Sequence, residues 1–233
     1  MSGHLLLAGG AEFGGQMAAP DRKALAAAGG PEAPVAIIPA AAAPDHNAER
    51  AGHKAVRWFQ SLGAGQVEAL PLVDRASADE PAIAARLRRA RLIYLLGGFP
   101  AHLAESLRES LSWRALREAY RNGAVIAGSS AGAMVLGRRY YDPFQSVVKP
   151  GLDLIGPIGV IPHHAAFGQR WVAILKTALP SVLLMGIDEE TGALAPGIEG
   201  TWQVFGKGRV VLYAQDQTAS FGHGQVFCIG DYR

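Results

Sequence analysis

The sequence contains little cysteine, little net charge and no long apolar run. Its single cysteine, Cys228, cannot form an internal disulfide and lies in a short apolar stretch, which predicts a buried structural thiol. A formal net charge of only +2 makes nucleic acid an unfavoured partner. No segment approaches transmembrane length, and residues 1–10 lack the basic flank and the apolar length of a signal peptide. We therefore expect a soluble, cytoplasmic protein without a membrane partner.

Hydrophobic residues occupy 49% of the 233 positions, which excludes an intrinsically disordered chain. This length is sufficient to bury a sizeable core, and α/β domains of this size commonly remain undivided. The chain has no internal repeat and no low-complexity linker. The sequence therefore predicts one domain that spans residues 1–233.

Short apolar runs alternate with longer segments whose apolar residues have helical spacing, a pattern typical of βαβ units. The predicted strands are residues 4–8, 35–38, 67–72, 92–96, 125–127, 158–161 and 183–187. The predicted helices are residues 49–62, 81–89, 102–120 and 168–179. This order predicts an α/β fold with a doubly wound, mostly parallel sheet that carries helices on both faces.

Two segments depart from that alternation. Residues 12–34 are rich in alanine, glycine and proline, which predicts a mobile loop with at most a short helix. Near the end of the chain, residues 201–205 and 209–213 flank a glycine-containing turn and predict a hairpin, and residues 225–229 predict one more strand. We expect these last strands to extend the parallel sheet in the antiparallel direction.

A Gly-x-Ser-x-Gly motif follows the predicted strand at residues 125–127 and centres on Ser130. The motif alone is weak evidence, but small residues that can open a helix come directly after it. A sharp strand-to-helix turn would expose the Ser130 hydroxyl and leave the N–H groups of the helix start facing developing negative charge. This context favours a nucleophilic serine over a structural glycine-rich turn.

A nucleophilic serine requires a base and a group that orients the base. The next two predicted strands lead into such groups. His163 and His164 follow the first strand, and Asp188, Glu189 and Glu190 follow the second. Parallel sheets place catalytic groups at the carboxyl ends of their strands, but the residues alone leave open which histidine and which carboxylate serve the serine. In α/β-hydrolases the carboxylate precedes the histidine, and here it follows.

Motifs spread over nearly the whole chain, and in the same order, resemble the peptidase E / cyanophycinase family of serine peptidases. This family has a class I glutamine amidotransferase-like fold. The matching segments are residues 7–12, 37–41, 97–98, 128–133, 151–155 with 162–164, and 186–191. The serine turn and the last segment are the most distinctive of them. The resemblance implies hydrolysis of peptide bonds.

The resemblance also implies a role for each matching residue. Ser130 matches the family's nucleophile, His164 its general base and Glu189 the acidic residue that orients the base. The backbone N–H groups of Gly98 and Ala131 match the positions that form the oxyanion hole. A strand's alternating side chains allow only one of two adjacent histidines to face the serine. The mechanism implied by the family requires no metal and no organic cofactor.

Departures from the family bear on the substrate. Phe99 and a proline replace the polar pair that follows Gly-Gly in many members, and His163 stands where cyanophycinase has a glutamine. Only Arg170 falls on one of the three arginine positions of cyanophycinase. We therefore expect Phe99, His163 and Arg170 to contact short peptides with apolar residues beside the scissile bond. Arg138 and Arg139 are further candidates to hold a peptide carboxylate.

Other functions remain open at this point. A cyanophycinase-like hydrolase would act on an aspartyl-arginine polymer. An amidotransferase-like enzyme would normally use cysteine, but Cys228 lies far from the serine turn and the sequence contains no synthetase segment. A non-catalytic binding protein could use the same fold. The sequence also leaves the choice between a monomer and a homodimer open.

Overall fold

The computed structural model describes residues 3–232, so Met1, Ser2 and Arg233 lie outside the described residues. The strands are β1 (Leu5–Ala8), β2 (Val35–Ile38), β3 (Val67–Ala69), β4 (Leu92–Leu95), β5 (Val125–Ser129), β6 (Arg139–Asp142), β7 (Val147–Pro150), β8 (Ile158–Ile161), β9 (Leu183–Ile187), β10 (Thr191–Ala195), β11 (Thr201–Gly206), β12 (Val210–Tyr213), β13 (Thr218–Phe221) and β14 (Val226–Cys228). The α-helices are α1 (Ala18–Ala28), α2 (Ala48–Ser61), α3 (Arg75–Ala78), α4 (Pro81–Arg89), α5 (Pro100–Leu107), α6 (Leu111–Arg121), α7 (Ala131–Val135) and α8 (Val172–Ala178).

The largest sheet has eight strands in the order β14-β11-β10-β1-β5-β4-β2-β3. The strands β1 to β5 are parallel to one another, and β10, β11 and β14 continue the sheet in the antiparallel direction. Every residue of β1, β2, β4 and β5 is buried, which is why these strands are continuous apolar runs in the sequence.

Helices cover both faces of the large sheet. On one face, Leu6 and Tyr94 join a core cluster with Phe59 of α2. On the other face, Leu95 joins a second cluster with Leu107 of α5. Neighbouring residues of one strand reach opposite clusters because side chains alternate along a strand. The expected α/β fold, with a mostly parallel sheet and helices on both faces, is therefore confirmed.

A second sheet has four strands in the order β13-β12-β9-β8. Here the structure differs from the sequence expectation, in which β8 and β9 belonged to the main sheet and β11 and β12 formed a hairpin. After β11 the chain turns at residues 206–208 and passes to the other sheet, where β12 pairs with β9. The N–H of Arg209 donates to a carboxylate oxygen of Asp188 at 2.8 Å and fixes this crossing. Strands β6 and β7 form a separate ribbon.

Two helical segments also differ from expectation. Residues 12–34 contain α1, an eleven-residue helix, where the sequence predicted a mobile loop with at most a short helix. Pro20 lies in the first turn of this helix, where a missing N–H breaks no helical hydrogen bond. The predicted helix 102–120 is divided into α5 and α6, because Glu109 has a positive φ of 60° and Ser110 caps the second helix.

Cys228 is partly exposed and not buried as expected, and its Sγ lies 3.6 Å from the hydroxyl of Thr201 on the neighbouring strand β11. The thiol therefore contacts a polar group at a strand pair on the edge of the large sheet.

Within residues 3–232, none of the helices has the length and apolar character needed to cross a membrane.

Asp21 lies in the first turn of α1 and is completely buried. Its Oδ2 accepts a hydrogen bond from Nε1 of Trp58 at 2.8 Å, and its Oδ1 has no partner among the residues that the structure describes. Burial raises the pKa of Asp21 from 3.8 to about 7. The folded protein therefore holds a proton on this carboxyl over a pH range in which the unfolded chain releases it.

Asp21→Asn should flatten the pH dependence of stability. Between about pH 4 and pH 7 the unfolded state binds fewer protons at this site than the folded state, so the free energy of unfolding falls as pH rises, by about 4 kcal/mol in total. Asparagine cannot ionise and still accepts a hydrogen bond from Trp58. Urea unfolding at about pH 4.5 and pH 7.5 measures the difference. Exposed Asp216→Asn is the matched control, and an Asp21→Asn variant that keeps the wild-type slope would contradict the assignment.

Candidate active site

Three successive carbonyl groups at the end of β1 hold the segments that carry the candidate residues. The carbonyl of Ala8 accepts a hydrogen bond from the N–H of Ser130 at 3.0 Å. The carbonyl of Gly9 accepts from the N–H of His163 at 2.7 Å, and the carbonyl of Gly10 accepts from the N–H of Glu190 at 3.2 Å. A side chain at position 10 is excluded, because its φ is +121° and a Cβ there would lie 2.2 Å from Cε1 of His163. This short backbone segment therefore brings the three segments together.

Ser130 occupies the sharp strand-to-helix turn that its motif predicted. Its φ of 49° and ψ of −115° end β5 abruptly and begin α7 at the next residue. The turn fits closely against β4, since a Cβ on Gly132 would lie 2.2 Å from the carbonyl oxygen of Leu95. Ser130 itself remains partly exposed, so its hydroxyl can be reached from solvent.

His163 is the histidine that reaches the serine. Its Nε2 lies 2.9 Å from Oγ of Ser130, and its Nδ1 lies 2.7 Å from Oε1 of Glu189. The carbonyl of His163 also accepts hydrogen bonds from the N–H groups of residues 166, 167 and 168, which hold the turn that follows. Serine, histidine and glutamate thus form one continuous row of hydrogen bonds.

His164 points away from the serine, which corrects the expected pairing of this residue with Ser130. It is buried, with its Nε2 2.8 Å from the hydroxyl of Tyr213 and its Nδ1 3.3 Å from Oδ1 of Asp188. The reason lies in the backbone. Strand β8 ends two residues before His163, and His163 has a positive φ of 48°, so the alternation of a strand does not extend to this pair.

The three consecutive acidic residues after β9 have separate partners. Glu189 reaches His163, as expected for the carboxylate, and its side chain is 48% exposed. Glu190 accepts a hydrogen bond from the N–H of Gln16 at 3.0 Å, which lowers the pKa of this carboxyl. Asp188 accepts from the backbone N–H groups of Ala165 and Arg209. Glu189 alone of the three contacts the histidine next to the serine.

Gly98 and Ala131, the expected oxyanion-hole positions, have backbone N–H groups that donate to no acceptor among residues 3–232. Gly98 has a φ of +136° and is exposed. The loop that carries it lies against the serine, since a Cβ built on Gly97 would lie 3.2 Å from Cβ of Ser130. Neither N–H group therefore has a protein acceptor in the described part of the chain, although Ala131, unlike Gly98, is buried.

Glu12 joins the serine turn to the Gly97–Gly98 loop, a contact that sequence reasoning missed. Its Oε1 accepts from the N–H of Gly97 at 3.1 Å, and its Oε2 accepts from the hydroxyl of Ser129 at 3.0 Å. Ser129 is completely buried and directly precedes Ser130. One carboxylate thereby holds the two backbone segments that would face the carbonyl group of a substrate.

Aromatic rings flank the serine and the histidine. Phe99 stacks on Phe144, which lies in the turn between β6 and β7, with ring centroids 4.6 Å apart. Phe167 stacks on the imidazole of His163 at 4.9 Å. Phe144 is 62% exposed and Phe167 is 41% exposed. The site therefore presents apolar ring surface to solvent next to His163 and beside the Gly97–Gly98 loop.

The arginines expected near the site differ in their surroundings. Arg138 pairs with Asp153 at 3.2 Å, so its charge is already compensated. Arg139 and Arg170 are exposed, and the side chains of both form no hydrogen bond or ion pair with any described residue. Arg170 lies on the helical turn after His163, whereas Arg139 begins β6.

Comparison with known proteins gives a consistent result. A sequence profile of Peptidase family S51 matches residues 5–193. A cyanophycinase of Synechococcus elongatus is 30% identical over 196 residues, which cover 79% of this chain and 60% of the relative. The crystal structure of a peptidase from an acI-B1 Actinobacterium has a TM-score of 0.85 at 27% identity and covers 98% of this chain and 97% of that one. A protein described as a peptidase E from Listeria monocytogenes EGD-e has a TM-score of 0.61 at 17% identity, with 95% and 99% coverage, and shares the fold.

A serine on a strand-to-helix turn, joined through a histidine to a carboxylate, is the arrangement of a serine hydrolase. The chain belongs to Peptidase family S51, as the match over residues 5–193 shows. The family expected from the sequence motifs is thereby confirmed. The chain spans 60% of the length of the Synechococcus cyanophycinase that it matches.

Glu12→Ala should destabilise the protein through the two donors that it leaves unpaired. The Ser129 hydroxyl is completely buried, and a buried donor without a partner costs about 1–3 kcal/mol. Glu12→Gln should cost less, because its amide oxygen can accept from Gly97 while its amide nitrogen donates to the Ser129 hydroxyl. Denaturant unfolding measures both variants, and exposed Glu32→Ala is the matched control. Equal stability of Glu12→Ala and the wild type would show that these bonds contribute nothing.

Proposed function

We propose that this protein is a serine peptidase that hydrolyses short peptides, with Ser130 as the nucleophile, His163 as the general base and Glu189 as the group that orients the base. The observation that carries the proposal is the row of hydrogen bonds through His163, at 2.9 Å to the serine and 2.7 Å to the glutamate. Membership of Peptidase family S51 supports the same chemistry.

In this mechanism Nδ1 of His163 carries a proton and donates it in a hydrogen bond to Glu189, so Nε2 is free to accept. As Oγ of Ser130 attacks the peptide carbonyl, Nε2 takes the hydroxyl proton and the imidazole becomes cationic. The Glu189 carboxylate stabilises that cation and keeps the ring facing the serine. Because Glu189 is about half exposed, water screens part of this charge interaction.

The negative charge on the carbonyl oxygen then requires donors. The N–H groups of Gly98 and Ala131 supply them, and a donor of this kind contributes about 3 kcal/mol to transition-state stability. The imidazolium next gives its proton to the nitrogen of the leaving amine, and the C–N bond breaks to leave an ester on Ser130. Water, deprotonated by Nε2, hydrolyses the ester and regenerates the serine.

The rings of Phe99, Phe144 and Phe167 favour apolar side chains next to the scissile bond. They offer ring surface at the site, and no hydrogen-bond donor that would compensate a desolvated carboxylate. A second candidate substrate is the aspartyl-arginine polymer, favoured by the similarity to the Synechococcus cyanophycinase. Apolar peptides and the aspartyl-arginine polymer carry different side chains beside the scissile bond. A direct comparison of kcat/KM for the two therefore decides between them.

Ser130→Ala and His163→Ala should each lower kcat/KM for a peptide substrate by at least about a thousandfold. The reason is that the serine and the histidine act as one unit, so removal of either one abolishes the contribution of both. Both should also lose labelling by a fluorophosphonate probe, which reacts with an activated serine. Steady-state hydrolysis of a chromogenic peptide and probe labelling measure the two effects.

His164→Ala is the control for this assignment. It should retain turnover at temperatures well below its unfolding transition, but unfold more easily, because it loses the contacts with Tyr213 and Asp188. Full activity of His163→Ala together with an inactive, folded His164→Ala would transfer the base to His164.

Apolar dipeptides and tripeptides should be hydrolysed with higher kcat/KM than aspartyl dipeptides or cyanophycin. Phe144→Ala should weaken this preference by roughly tenfold, since it removes part of the exposed ring surface that an apolar side chain would cover. Val226→Ala, another exposed apolar residue that lies on the edge strand β14, should leave the preference unchanged. A preference above about a hundredfold, or about 2.7 kcal/mol, for aspartyl peptides or cyanophycin would contradict the proposed substrate class.

A further inference from the structure

A groove of about 460 Å³ opens beside Gly97, on the α2 side of the serine turn. It lies between the loop after β1, the end of β4 and helix α2. The mechanism proposed above uses none of the residues that α2 contributes to it. Three of those residues are cationic, namely Arg50, Lys54 and Arg57.

The three cations share one side of α2, because residues four and seven positions apart recur on the same face of a helix. All three are exposed, and none forms an ion pair with a carboxylate within residues 3–232. Lys54 donates from Nζ to the carbonyl oxygen of Glu12 at 3.3 Å, which places its ammonium group beside the loop after β1. The groove therefore carries a concentration of positive charge close to Ser130.

The acidic groups nearby offset only part of this charge. Glu12 lines the groove, but its two carboxylate oxygens already accept hydrogen bonds from Gly97 and Ser129. Glu49, the acidic residue at the start of α2, lines a different cavity together with His53. Three cations thus share the groove with one carboxylate, which leaves a surplus of positive charge.

Gly97 brings the groove close to the reacting atoms. Gly97 forms part of its wall, and a Cβ on Gly97 would lie 3.2 Å from Cβ of Ser130. A peptide whose carbonyl carbon lies at Ser130 could therefore extend into the groove within one or two residues, at about 3.3–3.6 Å per residue. Guanidinium groups match carboxylates in geometry as well as in charge.

We propose that this groove is a carboxylate-binding subsite, in which Arg50, Lys54 and Arg57 hold a carboxylate of the peptide substrate. The proposal rests on the peptidase function proposed above and adds to it the requirement for a negative charge close to the scissile bond. The carboxylate belongs either to the free end of a short peptide or to an acidic side chain. The apolar rings and this groove would then recognise different parts of one substrate.

The test compares three peptides of the same length that share an apolar residue beside the scissile bond. The first has a free carboxyl terminus, the second ends in an amide, and the third ends in an amide but carries glutamate as its last residue. The wild type should have a KM for the first peptide about tenfold lower than for the second, equivalent to about 1.4 kcal/mol. The third peptide identifies the source of the carboxylate, because it matches the first only if a side chain can supply the charge.

The double variant Arg50→Gln/Arg57→Gln should reduce this tenfold ratio to less than about twofold. The control is Arg89→Gln/Arg121→Gln, which removes the same charge from two exposed arginines at the ends of α4 and α6, where the chain enters the amino ends of β4 and β5. The control should keep the full ratio. Increasing salt should also lower the wild-type ratio, which tests the subsite even if the double variant folds poorly.

Binding of the first two peptides to the Ser130→Ala protein separates this proposal from the peptidase proposal. If the wild type cleaves none of the peptides, the proposed function fails, but tighter binding of the acid than of the amide still supports the subsite. Equal Kd values for the acid and the amide, or a ratio that the double variant keeps unchanged, would overturn it.

Discussion

Hydrogen bonds to the backbone carbonyl groups at the end of β1 determine where the candidate catalytic side chains meet. Strand β1 belongs to the large sheet, as does the strand that leads to Ser130. His163 and Glu190 follow strands of the second sheet, and their N–H groups donate to the carbonyls of Gly9 and Gly10. Since backbone bonds fix main-chain positions closely, the imidazole reaches the serine from a defined place and not from a mobile loop. Glu12 extends the same segment and holds the Gly97–Gly98 loop.

The parallel strands and most helices could be predicted, because buried strands are continuous apolar runs and the helices have an apolar face. Helix α1 could not. Its residues are mostly small and its composition resembles a loop, and it is held by packing against β10 and β11, which follow it by more than 150 residues. The division of the strands between two sheets could not be predicted either, because local sequence patterns carry no information on which strands pair.

At the site, Ser130 could be placed from its motif at a strand end, whereas Glu189 was chosen among three acidic residues only through the family resemblance. The family resemblance favoured His164, and the argument from alternation could not correct that choice, because it holds only inside a strand and His163 lies beyond it in a left-handed conformation. The Glu12 contacts span 85 and 117 residues of sequence, so only the folded chain reveals them. The same holds for the basic groove, whose helix and whose wall at Gly97 are far apart in the chain.

Ser130 follows a strand of the large sheet, whereas His163 and Glu189 follow strands of the second sheet. This division has a consequence for inactivation by heat. The bond between Ser130 and His163 is 2.9 Å long and is lost once the two atoms separate beyond about 3.5 Å. A slight loosening of the joint between the sheets would break it while both strand ladders stay intact. Such local openings require less free energy than complete unfolding. Under the proposed mechanism, turnover should therefore decline on warming before circular dichroism detects any loss of secondary structure.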